Sequence, residues 1–442
     1  MMRKPRILSF ALLLSLMAAT LIGCRGDTSA PPLNWLSGFS GTEWDSFAAV
    51  ESAGSDFYAV GFTESSDGDM TDLYQHGQAD ALLVRFNSKG EKTASTAFGG
   101  SSSDVFHDVA VVSGAAIAAG YTYSSDGDLQ VITPQGGSDA LLVSFHKNGE
   151  PVWVANFGGS GEDSYQSVAS TRDGGTVAVG RSNSQDGHFA SLTSHGDYDA
   201  FLVKYDANGT AQWAVTFGGS GWDEFTKVEQ ARDGGYIAVG FTQSSDGDLA
   251  GRSSGESRDA VIVKYSEKGI LEWCSVFAGS QAEQFDGVAV LKDGYAAVGV
   301  SQSSDGDMSG IYSAKEDGVV VKYNLNGARQ WAQSIGGTGN DRCTAVTVSG
   351  KDLLIAGYTA STDLSFEGIE TQGGYDAFVY KMTSDGEPVW WTGLGSTGWD
   401  RFTGICTVSG GFAVSGYSDA ADGDFAALDA LGDEEAIVAR FG

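Results

Sequence analysis

Apolar and polar residues alternate with period two in short runs along nearly the whole chain, and the runs come in sets of four. In the clearest set they are Asp223 to Gln230 (DEFTKVEQ), Tyr236 to Thr242 (YIAVGFT), Asp259 to Tyr265 (DAVIVKY) and Leu271 to Phe277 (LEWCSVF). That period, with β-branched and aromatic content, predicts half-buried strands. The connections between them are of two kinds. Arg232 to Gly235 (RDGG) and Asn208-Gly209, with Asn148-Gly149 and Asn326-Gly327, are tight hairpin signals, because Asn, Asp and Gly tolerate positive φ. The second-to-third connection, QSSDGDLAGRSSGESR, is much longer.

The set recurs. One strand position falls at Trp35, Ala94, Trp153, Trp213, Trp273, Trp331 and Trp390, so successive units are spaced by 59, 59, 60, 60, 58 and 59 residues. A unit of this length cannot bury its apolar face alone, so stacked copies share their core. Four antiparallel strands repeated seven times predict an all-β, seven-bladed β-propeller, an architecture that leaves only short, protected sheet edges. The chain enters on a fourth-strand sequence, LNWLSGF, and ends on a third-strand sequence, EEAIVARFG. The N-terminal strand is therefore expected to complete the last blade and close the ring.

The units carry FGGS…D, DGGY…GYT and DAFLVKY…NG…W segments. In these the chain resembles the bacterial secreted β-propeller repeat proteins over residues 35–442. The resemblance implies the architecture and an extracellular setting. It says little about activity, because propellers host many functions.

Of the 442 residues, the first 24 need a separate account. Arg3, Lys4 and Arg6 precede an apolar run from Ile7 to Ile22 and then LIGC at Leu21 to Cys24, a pattern that resembles a bacterial lipoprotein signal. The apolar run falls short of the roughly 20 residues a spanning helix requires. The expected organisation is a signal peptide over 1–23, a linker over 24–34 that is membrane-anchored through a palmitate-type lipid on Cys24, and one propeller domain over 35–442. The localisation this implies is the extracytoplasmic face of the cell membrane.

Removing residues 1–23 takes away three positive charges, so the formal charge of −31 becomes −34. Such a surface repels nucleic acid and anionic headgroups. The expected partners are a protein or a glycan, with the membrane reached only through the lipid, and the module is expected to be monomeric. Cys274, Cys343 and Cys406 have neither zinc nor disulfide spacing. Cys343 fills the slot held by Phe47, Phe106, Tyr165, Phe225, Phe285 and Phe402 in the other units, which makes it a core residue.

Carboxylates crowd the face that carries the long loops. One set precedes the first strand: Asp45, Asp104, Asp163, Asp223, Glu283, Asp341 and Asp400. Another forms DGD pairs in the long loops: Asp67 and Asp69, Asp126 and Asp128, Asp246 and Asp248, Asp305 and Asp307, Asp422 and Asp424. A third precedes the third strand: Asp80, Asp139, Asp199, Asp259, Asp317, Asp376 and Glu435. A catalytic site needs one set of groups rather than seven, so repetition points to turn-capping. The functional alternative for the DGD pairs is calcium, which takes oxygen ligands, although the motif lacks the third acid and distal Glu of a full calcium loop.

Trp44, Trp222 and Trp399 immediately precede the first-strand acid in units one, four and seven, where the other units carry Ser103, Glu162, Ala282 and Asn340. A core slot does not exchange Trp for Ser or Glu. These rings, with Asp45, Asp223 and Asp400 beside them, are the candidate ligand-binding group, through stacking on a sugar or anchoring of a protein. Arg342 and Arg401 follow the first-strand acid in neighbouring units and are candidates for an anionic group, unless local acids pair with them. There is no nucleophile elbow, Walker loop or zinc helix. A binding or scaffolding module is therefore expected. A carbohydrate-active enzyme would instead need acids that depart from the repeat and converge on a pocket. A purely structural surface protein would lack any aromatic pocket at the funnel.

Overall fold

The computed structural model describes residues 29–73, 77–368, 371–428, 432 and 434–442, so Cys24 and the signal-like segment lie outside the described residues. It contains seven four-stranded antiparallel sheets arranged as the blades of a propeller. Six of them use four consecutive strands, over residues 45–98 (blade 1), 104–157, 163–217, 223–277, 283–335 and 341–394 (blade 6). Blade 7 is built from Asp400–Val408, Gly411–Ser418 and Glu435–Phe441, with Leu33–Phe39 as its fourth strand. The closing strand pairs antiparallel from Leu33 opposite Phe441 to Phe39 opposite Ala436, with one register shift between Leu33 and Trp35. The expected closure is thus the observed one, and the strands of the fourth unit have the bounds the alternation predicts.

The core lies between blades. One cluster joins Val177, Val179 and Leu202 of blade 3 to Phe225, Val261 and Val263 of blade 4, and another joins Phe39, Ala413 and Val438 of blade 7 to Phe47, Phe57 and Phe86 of blade 1. Each fully buried aromatic of this kind contributes about 2 to 3 kcal/mol. The outer-strand tryptophans bridge the same seams. Trp213 lies 5.7 Å from Tyr236, Trp273 5.9 Å from Tyr295 and Trp390 5.9 Å from Phe412, each in the following blade. Cys343 is fully buried, and the three cysteines Cys274, Cys343 and Cys406 are free buried thiols.

Every first strand carries a bulge after its third residue, as between Phe225 and Lys227 or Phe47 and Ala49. A bulge bends its strand and re-aims the side chains around it. The partner strand must approach closely there. A Cβ on Gly240 would sit 1.9 Å from the carbonyl oxygen of Glu224, and one on Gly61 would sit 1.8 Å from that of Ser46. This is why each second strand reads VGFT, AGYT or a close variant. The bulge turns the middle of all seven first strands toward the axis, where they line one central cavity.

The DGD segments end in a single 3₁₀ turn that the alternation pattern does not predict. Gly247–Leu249 is one example, and its last residue, Leu249, is fully buried, as are Met70, Leu129, Met308 and Phe366 at the same slot. The turn begins in the left-handed region, at φ 57° for Gly247. The sixth unit, reading STDLSF, forms it with Leu364 at φ 53°.

Candidate binding site

The acids that open the first strands are fully buried struts. Asp223 accepts hydrogen bonds from the Gly219 N–H (2.8 Å), the Ser244 hydroxyl (2.7 Å) and the Thr242 hydroxyl. Asp45 does the same with Gly41 (2.7 Å), Thr63 (2.5 Å) and Ser65 (2.9 Å). In Asp400 the donors are Ser418 (2.5 Å) and the backbone (2.6 Å) and hydroxyl (2.9 Å) of Ser396. Burial pushes these carboxyls up, against the pull of their donors, and Asp400 reaches about 6. Asp45, Asp223 and Asp400 therefore sit beside the tryptophans as expected, but their oxygens are turned into the blade and engaged there.

The DGD pairs clasp the blade-to-blade loop. The first acid accepts the N–H of Thr42 at Asp67 (2.8 Å), Ser101 at Asp126 (2.7 Å), Ser220 at Asp246 (2.7 Å), Ser280 at Asp305 (2.8 Å) and Thr397 at Asp422 (2.7 Å). The second acid takes the N–H two residues earlier, from Ser40 at Asp69 (3.2 Å), Gly99 at Asp128 (3.3 Å), Gly218 at Asp248 (3.2 Å), Ala278 at Asp307 (3.0 Å) and Gly395 at Asp424 (2.9 Å). In the sixth unit, Asp363 and Ser365 perform the same two tasks. These donors hold the carboxyls of Asp246 and Asp422 below their usual range. Among the described residues no three His, Cys, Asp or Glu side chains are grouped as metal ligands.

The three rim tryptophans differ in their surroundings. Trp44 and Trp399 are 54% and 50% exposed, in blades 1 and 7, which adjoin across the closure. Trp222 is half-buried, with Tyr198 at 5.3 Å, Phe241 at 5.8 Å, and the guanidinium groups of Arg181 and Arg258 at 5.4 and 5.9 Å. It belongs to a packed seam.

Four arginines line the same rim, in a chain with 57 acidic and 26 basic residues. Arg181 pairs with Glu224 (3.0 Å) and Arg258 donates to the side-chain amide oxygen of Gln284 (2.8 Å). Arg342 makes a two-pronged pair with Asp286 of blade 5, Nε and Nη2 both at 2.8 Å. Its partner is thus neither the neighbouring Asp341 nor a ligand. Arg401 has no such acceptor among the described residues.

The alternation pattern missed the charges in the central cavity, which encloses about 200 Å³. Lys227 of blade 4 reaches Asp108 of blade 2 at 2.7 Å, and Asp108 also accepts from the Ser167 hydroxyl (2.6 Å) and the Val168 N–H (3.0 Å) of blade 3. Glu51 of blade 1 and Glu229 of blade 4 line the same space. Glu229 faces the cavity, and burial pushes its carboxyl up to about 7 despite Lys227. Burial likewise raises Glu51. His107, whose Nδ1 lies 2.8 Å from the Tyr165 carbonyl oxygen, is pushed down by burial. The signal was present: the residue just after the bulge is Ala49, Asp108, Ser167, Lys227, Gly287, Ala345 and Gly404, a slot with no common character.

No family model matches the chain. It is 25% identical over 375 residues to a protein of Caulobacter vibrioides described as Regulatory protein FlaEY, covering 75% of this chain and 38% of that one. The chain thus spans about two fifths of the length of this curated relative. Among solved structures it is similar to BamB from Moraxella catarrhalis, at 12% identity and TM-score 0.38, with 92% of this chain and 100% of that one covered. It is also similar to the WD40 β-propeller domain of Doa1, at 12% identity and TM-score 0.47, with 92% and 96% covered. The assignment to the seven-bladed β-propellers rests on this chain's own sheet topology.

Proposed function

We propose that the propeller is a lipid-anchored binding module outside the cytoplasmic membrane, docking a partner protein on the long-loop rim of blades 7 and 1. The observation that carries this reading is the pair of exposed indoles, Trp44 and Trp399, on adjoining blades of a closed ring. Tryptophan set in a rigid rim is the residue type that dominates protein interfaces, because it adds a large contact area at small entropic cost. The struts beneath them hold the loops in one shape before any partner arrives, which lowers the ordering cost of association. The relative described as a regulatory protein accords with a protein partner, and the LIGC segment supplies the anchor at Cys24.

A photo-crosslinking residue at position 44, in cells of the source bacterium, tests the docking. A discrete protein adduct that is absent when the probe sits at Ile270, on the hairpin face, is expected. Equal labelling from both positions, or an adduct that resists protease, removes the protein-docking reading. Labelling with an alkynyl fatty acid that is lost in Cys24→Ser tests the anchor, and label retained by that variant rejects it.

A second reading, a carbohydrate-active enzyme, draws on one observation: Glu51, Asp108 and Glu229 depart from the repeat and meet around Lys227 in a cavity. Paired carboxyls of which burial raises two, Glu51 and Glu229, suit acid and nucleophile roles in glycoside cleavage. Hydrolysis of a member of a sugar panel that is lost in Glu229→Gln is the result it requires.

A further inference from the structure

Among the described residues Arg401 is the rim arginine with neither an ion pair nor a hydrogen bond, although the Glu434 carboxyl lies within electrostatic reach of it. Its guanidinium carbon lies 4.5 Å from the ring of Tyr358, 5.4 Å from Tyr375, 5.4 Å from Trp399 and 5.7 Å from Tyr417. Four rings thus hold the group by cation–π attraction, but none accepts its in-plane N–H bonds. Its Nε is buried without a hydrogen-bond partner. The repeat explains how this arises. Arg342, one unit earlier in the same slot, is satisfied by Asp286 of the preceding blade. The residue equivalent to Asp286 in front of Arg401 is Thr344, whose hydroxyl is already spent on the carbonyl oxygens of Phe402 (2.6 Å) and Ala356 (3.2 Å). Blade 6 therefore offers Arg401 no acid at the position from which Asp286 pairs with Arg342.

We infer that Arg401, walled by Tyr358, Tyr375, Tyr417 and the exposed Trp399, receives a carboxylate from the partner protein, an acidic side chain or a chain terminus. This rests on the docking reading above and names the chemistry of its partner. A planar, singly charged acceptor matches the guanidinium edge in a slot whose walls are rings. The surroundings select against a dianion such as phosphate. Asp419 lies close by, its Oδ1 accepting the backbone N–H of Trp399, and its carboxylate penalises a dianion more than a singly charged acceptor. Trp399, half-exposed beside the guanidinium, can cover the apolar body of the incoming residue.

Benzoate is the probe: a carboxylate on a flat apolar body, with benzamide as its neutral counterpart and phenyl phosphate as its dianionic one. The readout on the full chain is the Arg401 Nε–H resonance, assigned by its loss in Arg401→Lys. Benzoate is expected to shift it saturably, with a dissociation constant on the order of 10 mM, and benzamide to leave it in place. Binding, followed at the Trp399 indole resonance, should weaken at least about tenfold in Arg401→Met and stay within about twofold in Arg342→Lys, which leaves the neighbouring seam paired.

Equal responses to benzoate and benzamide, or undiminished binding by Arg401→Met, overturn the assignment. Phenyl phosphate binding tighter than benzoate overturns the choice of a carboxylate. The two proposals fail separately. A discrete adduct from position 44 without a benzoate response removes Arg401 from the interface and leaves the docking face. A benzoate response without an adduct keeps the receptor and takes the protein partner from it.

Discussion

The seam between blades 5 and 6 and the seam between blades 6 and 7 hold an arginine in the same slot, and only the first offers it an acid. Arg342 is locked to Asp286 at 2.8 Å through two nitrogens, and Burial alone would lower its proton affinity, but that pairing raises it. Arg401 meets Thr344 at that place and is held by rings instead. The repeat fixes the shape of each slot, while the preceding blade decides whether the slot is closed from within. Where every unit provides both halves, as in the Asp223 strut, the result is architecture. Where one half is absent, a side remains that a partner can complete.

The largest effect should come from breaking the architecture itself. Deleting residues 33–39 strips the fourth strand from blade 7 and the packing of Phe39, Trp35 and Leu36, which costs more than about 5 kcal/mol. Chemical denaturation should then lose its single cooperative transition. An unchanged transition would mean that closure does not hold the ring.

Next in size is a strut. Asp223→Ala leaves the Gly219 N–H and the Ser244 and Thr242 hydroxyls without their buried acceptor, for a loss of about 3 kcal/mol in urea unfolding. A loss below about 1 kcal/mol would reject the view that the repeated acids are structural.

Lys227→Met tests the charges in the channel. It strands Asp108 beside Glu51 and Glu229, at a cost of about 1 to 3 kcal/mol, moderated by the partial exposure of the lysine. No loss of stability would mean that the channel lysine is not holding those acids.

A gradual effect with pH is expected as well. Glu229 and Glu434 are raised to about 7 and Asp376 and Asp400 to about 6, in each case mainly by burial. In the unfolded chain such groups titrate near 4, so between about pH 4 and 7 the folded state binds more protons than the unfolded state. Stability from these groups is complete at the acid end of that window and is lost as pH rises through it. The Tm should be higher at pH 5 than at pH 8, and a Tm that climbs over this span contradicts the burial of these acids.

Nearly all of the architecture was legible in the chain, because the turn residues and the period-two runs are local and are written seven times. The closing strand was legible for the same reason: LNWLSGF repeats a fourth-strand sequence at the wrong end of the chain. The sites were less so, for physical causes that act across blades. The bulge re-aims Asp108, Lys227 and Glu229 toward the axis, and their meeting spans about two repeats of sequence, as Lys227 and Asp108 do at a separation of 119 residues. Trp222 looks equivalent to Trp44 until Tyr198 of the preceding blade is seen against it. The contrast between Arg342 and Arg401 depends on Asp286 and Thr344, each in the unit before.

The paired unfolding curves of Arg342→Met and Arg401→Met test this account most directly, without any ligand. Arg342→Met strands the Asp286 carboxylate and should cost about 2 to 4 kcal/mol. Arg401→Met gives up the cation–π contacts but removes a buried N–H that lacks a partner and keeps the side-chain bulk against the rings, and should cost less than about 1 kcal/mol. Equal losses from the two substitutions would show that Arg401 is as fully engaged within the fold as Arg342, and would contradict the claim that its slot stands open for a partner.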